Sequence, residues 1–279
     1  MTGIRTDLAY EQYTQHPTSS IFREEKLHKG CRLHILETKE TTGGIPKGRH
    51  LTLFSPPSDE DPFAAGDHLC DALFSLLRTE AERLLGTNDF TGKHVLFVGL
   101  GNAAATVDSF GPSAARRIRP TAHIKEEAPT LFSLLPCAAL AVFCPGVSGS
   151  SGIKSTALLS AVLSSYRPDL LLVGDSLVAA DPSHLGRTLQ LSDAGLRPGG
   201  GMHRREEAID QAFAGCPVLS VGLPTAVHVS SLFRDLDIEP PPKVCGNEHY
   251  LAPSSVDLLI AEAADALGKA VERAFGIPH

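Results

Sequence analysis

Hydrophobic residues in this chain follow two different spacings along the sequence. In some segments they alternate with polar residues or form short unbroken runs, and both patterns are typical of β-strands. The alternating segments are 31–38 and 50–54. The unbroken runs, which indicate strands covered on both faces, are 94–102, 138–146, 168–176 and 216–225.

Between these segments the apolar residues recur at helical spacing. Residues 66–86 place Leu69, Leu73 and Leu77 on one face, and Gly86 closes the segment as glycine commonly closes a helix. This pattern predicts an amphipathic helix. Further helices are predicted near Pro112, at 155–166 with Ser155 as N-cap, and at 254–275 with Ser254 or Ser255 as N-cap.

Apolar strands that alternate with helices predict an α/β fold with a mostly parallel central sheet flanked by helices. The segment 188–193 also alternates, and we predict it as an edge strand. The two N-terminal strands are predicted to pack on this unit. Because the sequence shows no internal repeat and no low-complexity tract, we predict one domain.

Composition narrows the classes of function. The 279 residues carry a formal net charge of −7, and an acidic chain without a Lys/Arg stripe is not expected to bind nucleic acid directly. No apolar run approaches the roughly 18 residues that a membrane span needs. The 6 cysteines form no CxxC pair and no zinc-site spacing. We therefore predict a cytoplasmic protein without a structural metal.

Polar and small residues collect where the predicted strands end, which is where ligands bind in open α/β sheets. Asp108 follows the first apolar strand and Asp175 ends the third, so two carboxylates could share one site. Each aspartate taken alone is also typical of a helix cap. The second strand ends in a turn whose backbone N–H groups, around Gly146 and Gly149, could stabilise an oxyanion. Asp193 is a second-tier candidate, since a turn-forming role fits it as well.

Two other kinds of site remain open at this stage. Gly99 and Gly101 resemble half of a dinucleotide-binding fingerprint, but the third glycine is missing, which makes a nucleotide-dependent oxidoreductase a distant alternative. A metal site built from Asp108, Asp175 and one histidine is compatible with the spacing.

A serine hydrolase is a further alternative. The pattern GxSxG occurs around Ser148 in an incomplete form, because its last position is serine. Such an enzyme would also need a positioned histidine, for which His184, His203 and His228 are candidates in principle.

Several longer blocks follow one another in a recognisable order. They are RTDLA at 5–9, VGLGN at 98–102 followed by T-x-D-x-x-GP at 106–112, PGVSGSSGIKS at 145–155, RPDLLLVGDSL at 167–177, TLQLSDAGLRPGGG at 188–201 and GCPVLSVGLPTAV at 215–227. Together these blocks resemble the germination protease (spore protease) family.

The resemblance implies an endopeptidase that initiates the degradation of small acid-soluble spore proteins during germination, in the cytoplasm of the spore core. It also implies the α/β fold of the hydrogenase-maturation proteases, a homotetramer, and an aspartate-dependent mechanism with no established cofactor. The two aspartates implicated in the family match Asp108 and Asp175 here.

The family is made as a zymogen that trims its own N-terminus within RTDLA. The resemblance therefore implies a cut between Asp7 and Leu8, which would make 1–7 a propeptide and 8–279 a single α/β peptidase domain. The chain departs from the family where TPD becomes TVD before Asp108 and where the segment after Val227 is shorter. The alternative function is a metal-binding maturation-protease-like protein, or a non-catalytic relative, on the same fold.

Overall fold

A computed structural model describes residues 6–15, 17, 20–27, 30–55, 66–198, 207–235, 238 and 249–278. In these residues a nine-stranded sheet carries helices on both faces. The strands are β1 (Ile21–Lys26), β2 (Arg32–Thr38), β3 (Gly48–Phe54), β4 (His94–Gly99), β5 (Ala139–Phe143), β6 (Leu170–Ala179), β7 (Thr188–Ser192), β8 (Val218–His228) and β9 (Tyr250–Leu251). The helices are α1 (Ala9–Gln15), α2 (Gly66–Leu85), α3 (Phe110–Ala115), α4 (Ala122–Glu127), α5 (Pro129–Phe132), α6 (Ser148–Ser151), α7 (Ser155–Tyr166), α8 (Gln211–Ala214), α9 (Val229–Asp235) and α10 (Val256–Ala274).

The sheet has the strand order β1-β2-β3-β7-β8-β6-β4-β5, and β9 pairs with β8. Strands β5, β4, β6 and β8 form a parallel block. The remaining ladders are antiparallel. The predicted α/β class is confirmed, although the sheet is mixed rather than mostly parallel, because the N-terminal strands β1 to β3 join the same sheet through β7.

The prediction that 188–193 forms an edge strand is wrong. Strand β7 lies between β3 and β8, and all of its residues are buried. Its alternation arises because Leu189 and Leu191 face the main apolar core, whereas Gln190 and Ser192 face a polar cavity. A strand with two different buried faces therefore has the same sequence pattern as a strand with one face in solvent.

The main core lies on one face of the sheet, under α2, α3 and α10. Apolar side chains from β2 to β8 pack there against the predicted stripe of α2, in which Leu73 and Leu77 are fully buried. Helix α10 packs along α2 and contributes Leu267 and Val271. Helix α3 approaches β4 and β6 so closely that Gly111 contacts main-chain atoms of both strands.

The opposite face is divided into an apolar half and a polar half. Over β4 and β6, the side chains of Leu96, Val98 and Val173 pack against Leu159 and Leu163 of α7. Over β3, β7 and β8 the side chains on this face are polar and buried instead. They are His50, Thr52, Gln190, Ser192 and Ser220. All of these except Thr52 line the cavity described below.

The N-terminal region contains two elements that the pattern did not predict, α1 and β1. Strand β1 is largely exposed and pairs only with β2 at the edge of the sheet, so it carries little hydrophobic signal. The helix predicted near Pro112 begins at Phe110. The Ser155 hydroxyl does not cap α7 as predicted. It donates to the Gly146 carbonyl at 2.7 Å.

No helix among the described residues has the length and apolar character to cross a bilayer.

Candidate active site

A cavity of about 960 Å³ opens on the polar half of the sheet, at the carboxyl ends of β4 and β6. Asp108 and Asp175 both line it, together with Gly146 and Asp193. This placement at the ends of parallel strands is the usual position of ligand sites in α/β proteins. The cavity is therefore the candidate active site.

Asp175 lies in the middle of β6, which continues beyond the predicted strand end to Ala179, and it is only 6% exposed. The backbone N–H of Ser176 donates to its Oδ1 at 2.9 Å. Asp175 is in register with Gly222 of β8, which is in turn in register with Gln190 of β7. Residues in register share a face of the sheet, so this carboxylate projects over the polar half.

Asp108 ends a 3₁₀ turn, Thr106–Asp108, that follows β4. The backbone N–H of Asn102 donates both to the Asp108 carbonyl and to its Oδ2, each at 2.9 Å. Gly101 has a φ of +113°, and a Cβ there would collide with the main chain of Asp108. The glycine after β4 thus permits a tight loop that returns the carboxylate to the strand end.

Hydrogen bonds on both sides of Asp108 tie it to β8 and to β6, the strand that carries Asp175. The Thr225 hydroxyl of β8 donates to the Val107 carbonyl at 2.6 Å. The backbone N–H of Phe110 donates to the Ser176 hydroxyl at 3.3 Å. The fold therefore places the two aspartates in the wall of one cavity, across about 70 residues of sequence.

Asp193 lies at the rim of the cavity with both carboxylate oxygens engaged. Its Oδ1 accepts the backbone N–H of Arg49 at 2.7 Å, and its Oδ2 pairs with the Arg83 guanidinium at 2.6 Å. Arg49 and Arg83 also pair with the buried Glu80. This network ties β3, α2 and the turn after β7 together, which is a structural arrangement.

The glycine-rich turn after β5 contributes one of its two candidate glycines to the cavity. Gly146 lines the cavity with a φ of +70°, whereas Gly149 lies in α6 and is exposed. Ser148 also lines the cavity, and its hydroxyl is buried without a hydrogen-bond partner among the described residues.

Two cavity residues were missed by the sequence analysis, His50 and Ser192. The Ser192 hydroxyl lies 2.9 Å from His50 Nδ1, and His50 Nε2 lies 3.0 Å from the Pro46 carbonyl. Burial lowers the pKa of His50, so its ring is neutral near pH 7. The only signal in the sequence was the polar alternation of β3 and β7.

The histidines considered for a serine hydrolase do not serve Ser148 in this structure. His184 contacts the Glu11 carboxylate at 2.6 Å, and His228 contacts the Ser230 hydroxyl at 2.6 Å. His203 lies outside the described residues. Among the described residues, no three His, Cys, Asp or Glu side chains form a group that could hold a metal ion.

The segment around Asp7 and Leu8 is anchored against the same cavity. The backbone N–H of Asp7 donates to the Val178 carbonyl at 2.8 Å, and the Val178 N–H donates to the Asp7 carboxylate at 2.9 Å. The Gln190 amide holds both sides of Leu8, because it accepts from the Ala9 N–H at 2.7 Å and donates to the Asp7 carbonyl at 3.2 Å. Residues 1–5 lie outside the described residues.

The side chain of Leu8 fixes this segment further. It is fully buried in a small apolar cluster. That cluster consists of Leu177, Ala179, Leu185 and Val227, with Leu232 packed against it. Residues 6–8 are therefore held in place by both main-chain and side-chain contacts.

Burial raises the pKa of Asp7 to about 6 and outweighs the lowering effect of the Val178 N–H, while the nearby Glu11 carboxylate raises it by a smaller amount. A raised folded-state pKa stabilises the fold below the unfolded value of about 3.9, and this contribution is lost as pH rises through the folded value. The thermal midpoint of the wild-type protein should therefore fall between pH 4 and pH 7 as Asp7 ionises. We expect a smaller fall for Asp7→Asn, because asparagine cannot ionise.

Thermal melts of both chains across this range measure the effect. Asp89→Asn is the control, because hydrogen bonds from Thr91 lower the pKa of that exposed carboxyl and its contribution has the opposite sign. A wild-type midpoint with the same pH dependence as that of Asp7→Asn would contradict the assignment.

Comparison with known proteins relates this chain to germination proteases. A family model described as germination protease matches residues 7–239. The germination protease of Caldanaerobacter subterraneus is 31% identical over 240 residues, covering 84% of this chain and 72% of the relative. Those of Clostridium perfringens and Bacillus subtilis are 27% and 29% identical, and the aligned regions cover 74% and 65% of their lengths. The region that the family model matches contains Asp108 and Asp175.

Proposed function

The chain belongs to the germination protease family, and from that premise we propose that it is the endopeptidase that initiates the degradation of small acid-soluble spore proteins during germination. Membership makes it a peptidase that acts in spore germination. The observation that carries the proposal is that Asp108 and Asp175 both line one cavity. Both aspartates lie inside the region that the family model matches.

The proposed chemistry divides peptide hydrolysis between the two carboxylates. One takes a proton from the attacking water, and the other supplies a proton to the leaving amine. Like charges placed close together favour a state in which one carboxyl is protonated. Because such a pair titrates as a unit, we assign Asp108 and Asp175 jointly and do not separate the acid from the base.

Other cavity residues are proposed in supporting roles. The backbone N–H groups around Gly146 would stabilise the oxyanion of the tetrahedral intermediate. Gly149 is the weaker candidate, since it is exposed in α6. Asp193 supports the site through Arg49 and Arg83, by holding the cavity rim in place.

Digestion of a purified small acid-soluble spore protein tests the proposed function. We expect internal cleavage, which mass mapping of the fragments would locate, and the same cleavage in the presence of a chelator, because the sequence has no HExxH-type ligand set. An unrelated protein of similar length is the control substrate. A chain that binds a divalent metal and leaves the spore protein intact would favour the maturation-protease-like alternative.

We also propose that the enzyme acts as a homotetramer in the spore core. The exposed apolar side chains of Leu131 and Leu134 mark one surface that such an assembly would cover. Light scattering of the purified protein measures its oligomeric state directly.

Activation is proposed to remove residues 1–7 by cleavage between Asp7 and Leu8. Asp7 pairs with Val178, which lies three positions beyond Asp175 on β6, or about 10 Å along the strand. The segment must therefore leave its anchored position, or be cut by another molecule, before the bond reaches the aspartates.

We expect N-terminal sequencing of the incubated protein to show a chain that begins at Leu8. Chains with Asp175→Asn should keep their original N-terminus, because self-cleavage needs the proposed pair. Full activity on spore protein by a chain that still begins at Met1 or Thr2 would show that Asp7-Leu8 is not the activation site.

A further inference from the structure

Glu11 is a buried carboxylate outside the proposed catalytic pair. It lies in α1 and is only 3% exposed. Its oxygens accept the backbone N–H groups of Ala180 at 2.7 Å and Asp181 at 3.0 Å, and Oε1 lies 2.6 Å from His184 Nδ1. A buried charge is stable only with such partners, so each partner of this carboxylate matters.

Thr6 provides a further partner of the Glu11 carboxylate and also connects Glu11 to Leu8. The Leu8 backbone N–H donates to the Thr6 hydroxyl oxygen at 3.0 Å. The Thr6 hydroxyl in turn donates to Glu11 Oε2. A single hydroxyl therefore separates the nitrogen of Leu8 from the buried carboxylate.

Cleavage between Asp7 and Leu8 would change both ends of this connection. Water adds across the amide, so that the C–N bond breaks, Asp7 gains a carboxylate and Leu8 gains an amine that is protonated near pH 7. Thr6 leaves with the released peptide, and Glu11 Oε2 loses a donor. The new ammonium forms on the nitrogen that had faced Glu11 through the lost hydroxyl.

We propose that Glu11, whose carboxylate is held by the backbone N–H groups of Ala180 and Asp181, forms a binding site for the α-ammonium group of Leu8 in the processed enzyme. This inference rests on the proposed cut between Asp7 and Leu8. The ligand is the chain's own new N-terminus, and the site takes a primary ammonium in place of the Thr6 hydroxyl.

Three features of the structure keep the Leu8 nitrogen near this site after the cut. The Leu8 side chain remains in its apolar cluster. The Ala9 N–H remains bonded to Gln190 Oε1 at 2.7 Å. Helix α1, which begins at Ala9, still carries Glu11. The freed nitrogen then has only the space left by the Thr6 hydroxyl to cross before it reaches Glu11 Oε2.

Electrostatics favours the exchange of partners. In the uncut chain, Asp7 and Glu11 are like charges close enough that Glu11 contributes to the raised pKa of Asp7. Release of residues 1–7 removes that negative charge and leaves a positive one. Asp181 and His184 also face this region, and neither leaves on cleavage.

The consequence for function lies in β6. Glu11 holds the backbone just beyond the end of this strand, at Ala180 and Asp181, and Asp175 lies in the same strand. An ammonium on Glu11 would keep this end of β6 in place after the propeptide has gone. Glu11 is in this sense a positioning residue, since it acts through β6.

The test compares the self-processed full chain with a mature chain that is released from an N-terminal carrier and begins at Leu8. The released chain tests the site even if self-processing fails, so the two proposals can fail separately. The matched control begins with one added glycine before Leu8, which moves the ammonium by about 3.5 Å and changes no buried side chain. Glu11→Gln is introduced into the chain that begins at Leu8 and into the glycine control.

Nuclear magnetic resonance titration of the α-amine is the main measurement. For the Leu8 chain we expect the pKa to exceed the ordinary value of about 8 by about one unit, and the thermal midpoint to exceed that of the glycine control by at least about 2 °C. Both differences should vanish with Glu11→Gln. An α-amine of ordinary pKa in the Leu8 chain, or a raised pKa that persists with Glu11→Gln, would overturn the proposal. If the Glu11→Gln chains do not fold, the comparison with the glycine control decides the outcome in the same way.

Discussion

Asp175→Asn is expected to fold normally and to lose peptidase activity by about 10³-fold or more. The asparagine side chain matches aspartate in size and can still accept the Ser176 N–H through its amide oxygen. It can neither take a proton from water nor deliver one to the leaving amine at neutral pH. The expected loss therefore reports chemistry, and the initial rate of spore-protein cleavage measures it.

Asp108→Asn should produce a comparable loss, and the double variant should be little worse than either single one, because residues that act as a unit are not additive. Asp210→Asn is the matched control. Asp210 lines the same cavity, but its carboxylate caps α8 by accepting the Phe213 N–H at 2.9 Å, which asparagine can also do. Folded Asp108→Asn or Asp175→Asn chains with near wild-type rates would refute the two-aspartate assignment.

Gly111→Ala is expected to prevent stable folding. A Cβ at this position would lie 2.6 Å from the Leu100 nitrogen and closer still to the carbonyl oxygens of Leu100 and Gly174. The first two belong to the residue that follows β4 and the third to the middle of β6, and such main-chain atoms cannot move aside as a flexible side chain could. We expect a cost of more than about 3 kcal/mol in the free energy of unfolding, above the usual cost of overpacking.

Chemical denaturation measures this loss, or shows that the variant is already unfolded in buffer. Gly149→Ala is the control, because a Cβ there meets nothing within 4 Å. It also keeps the backbone N–H of the turn. A Gly111→Ala chain with the stability of the wild type would mean that α3 does not pack this closely against β4 and β6.

Much of the fold could be predicted because its strongest signals are local. The unbroken apolar runs at β4, β5, β6 and β8 and the amphipathic pattern of α2 appear in the structure close to their predicted bounds. Strands β4, β6 and β8 bury apolar side chains in both main clusters, one on each face of the sheet, and α2 packs in the larger cluster. Burial on both faces leaves a pattern that can be read from neighbouring residues alone.

The candidate site was predictable only in part. Asp108 and Asp175 could be predicted because one follows and the other ends an apolar run, and the carboxyl ends of parallel strands meet at one edge of a sheet. Nothing local indicated that His50 and Ser192 face the same cavity, or that Asp193 is engaged by Arg49 and Arg83. Those contacts join segments that are more than 100 residues apart.

The sequence by itself determined the α/β class, the apolar strands and the two strand-end aspartates, because periodicity and glycine placement act within a few residues. Only the tertiary structure decided that β7 is an interior strand and that Thr6, Asp7 and Leu8 are anchored between β6, Gln190 and Glu11. A polar side chain has the same local pattern whether it faces solvent or a buried polar cavity. Which of the two it faces depends on partners supplied by distant parts of the chain.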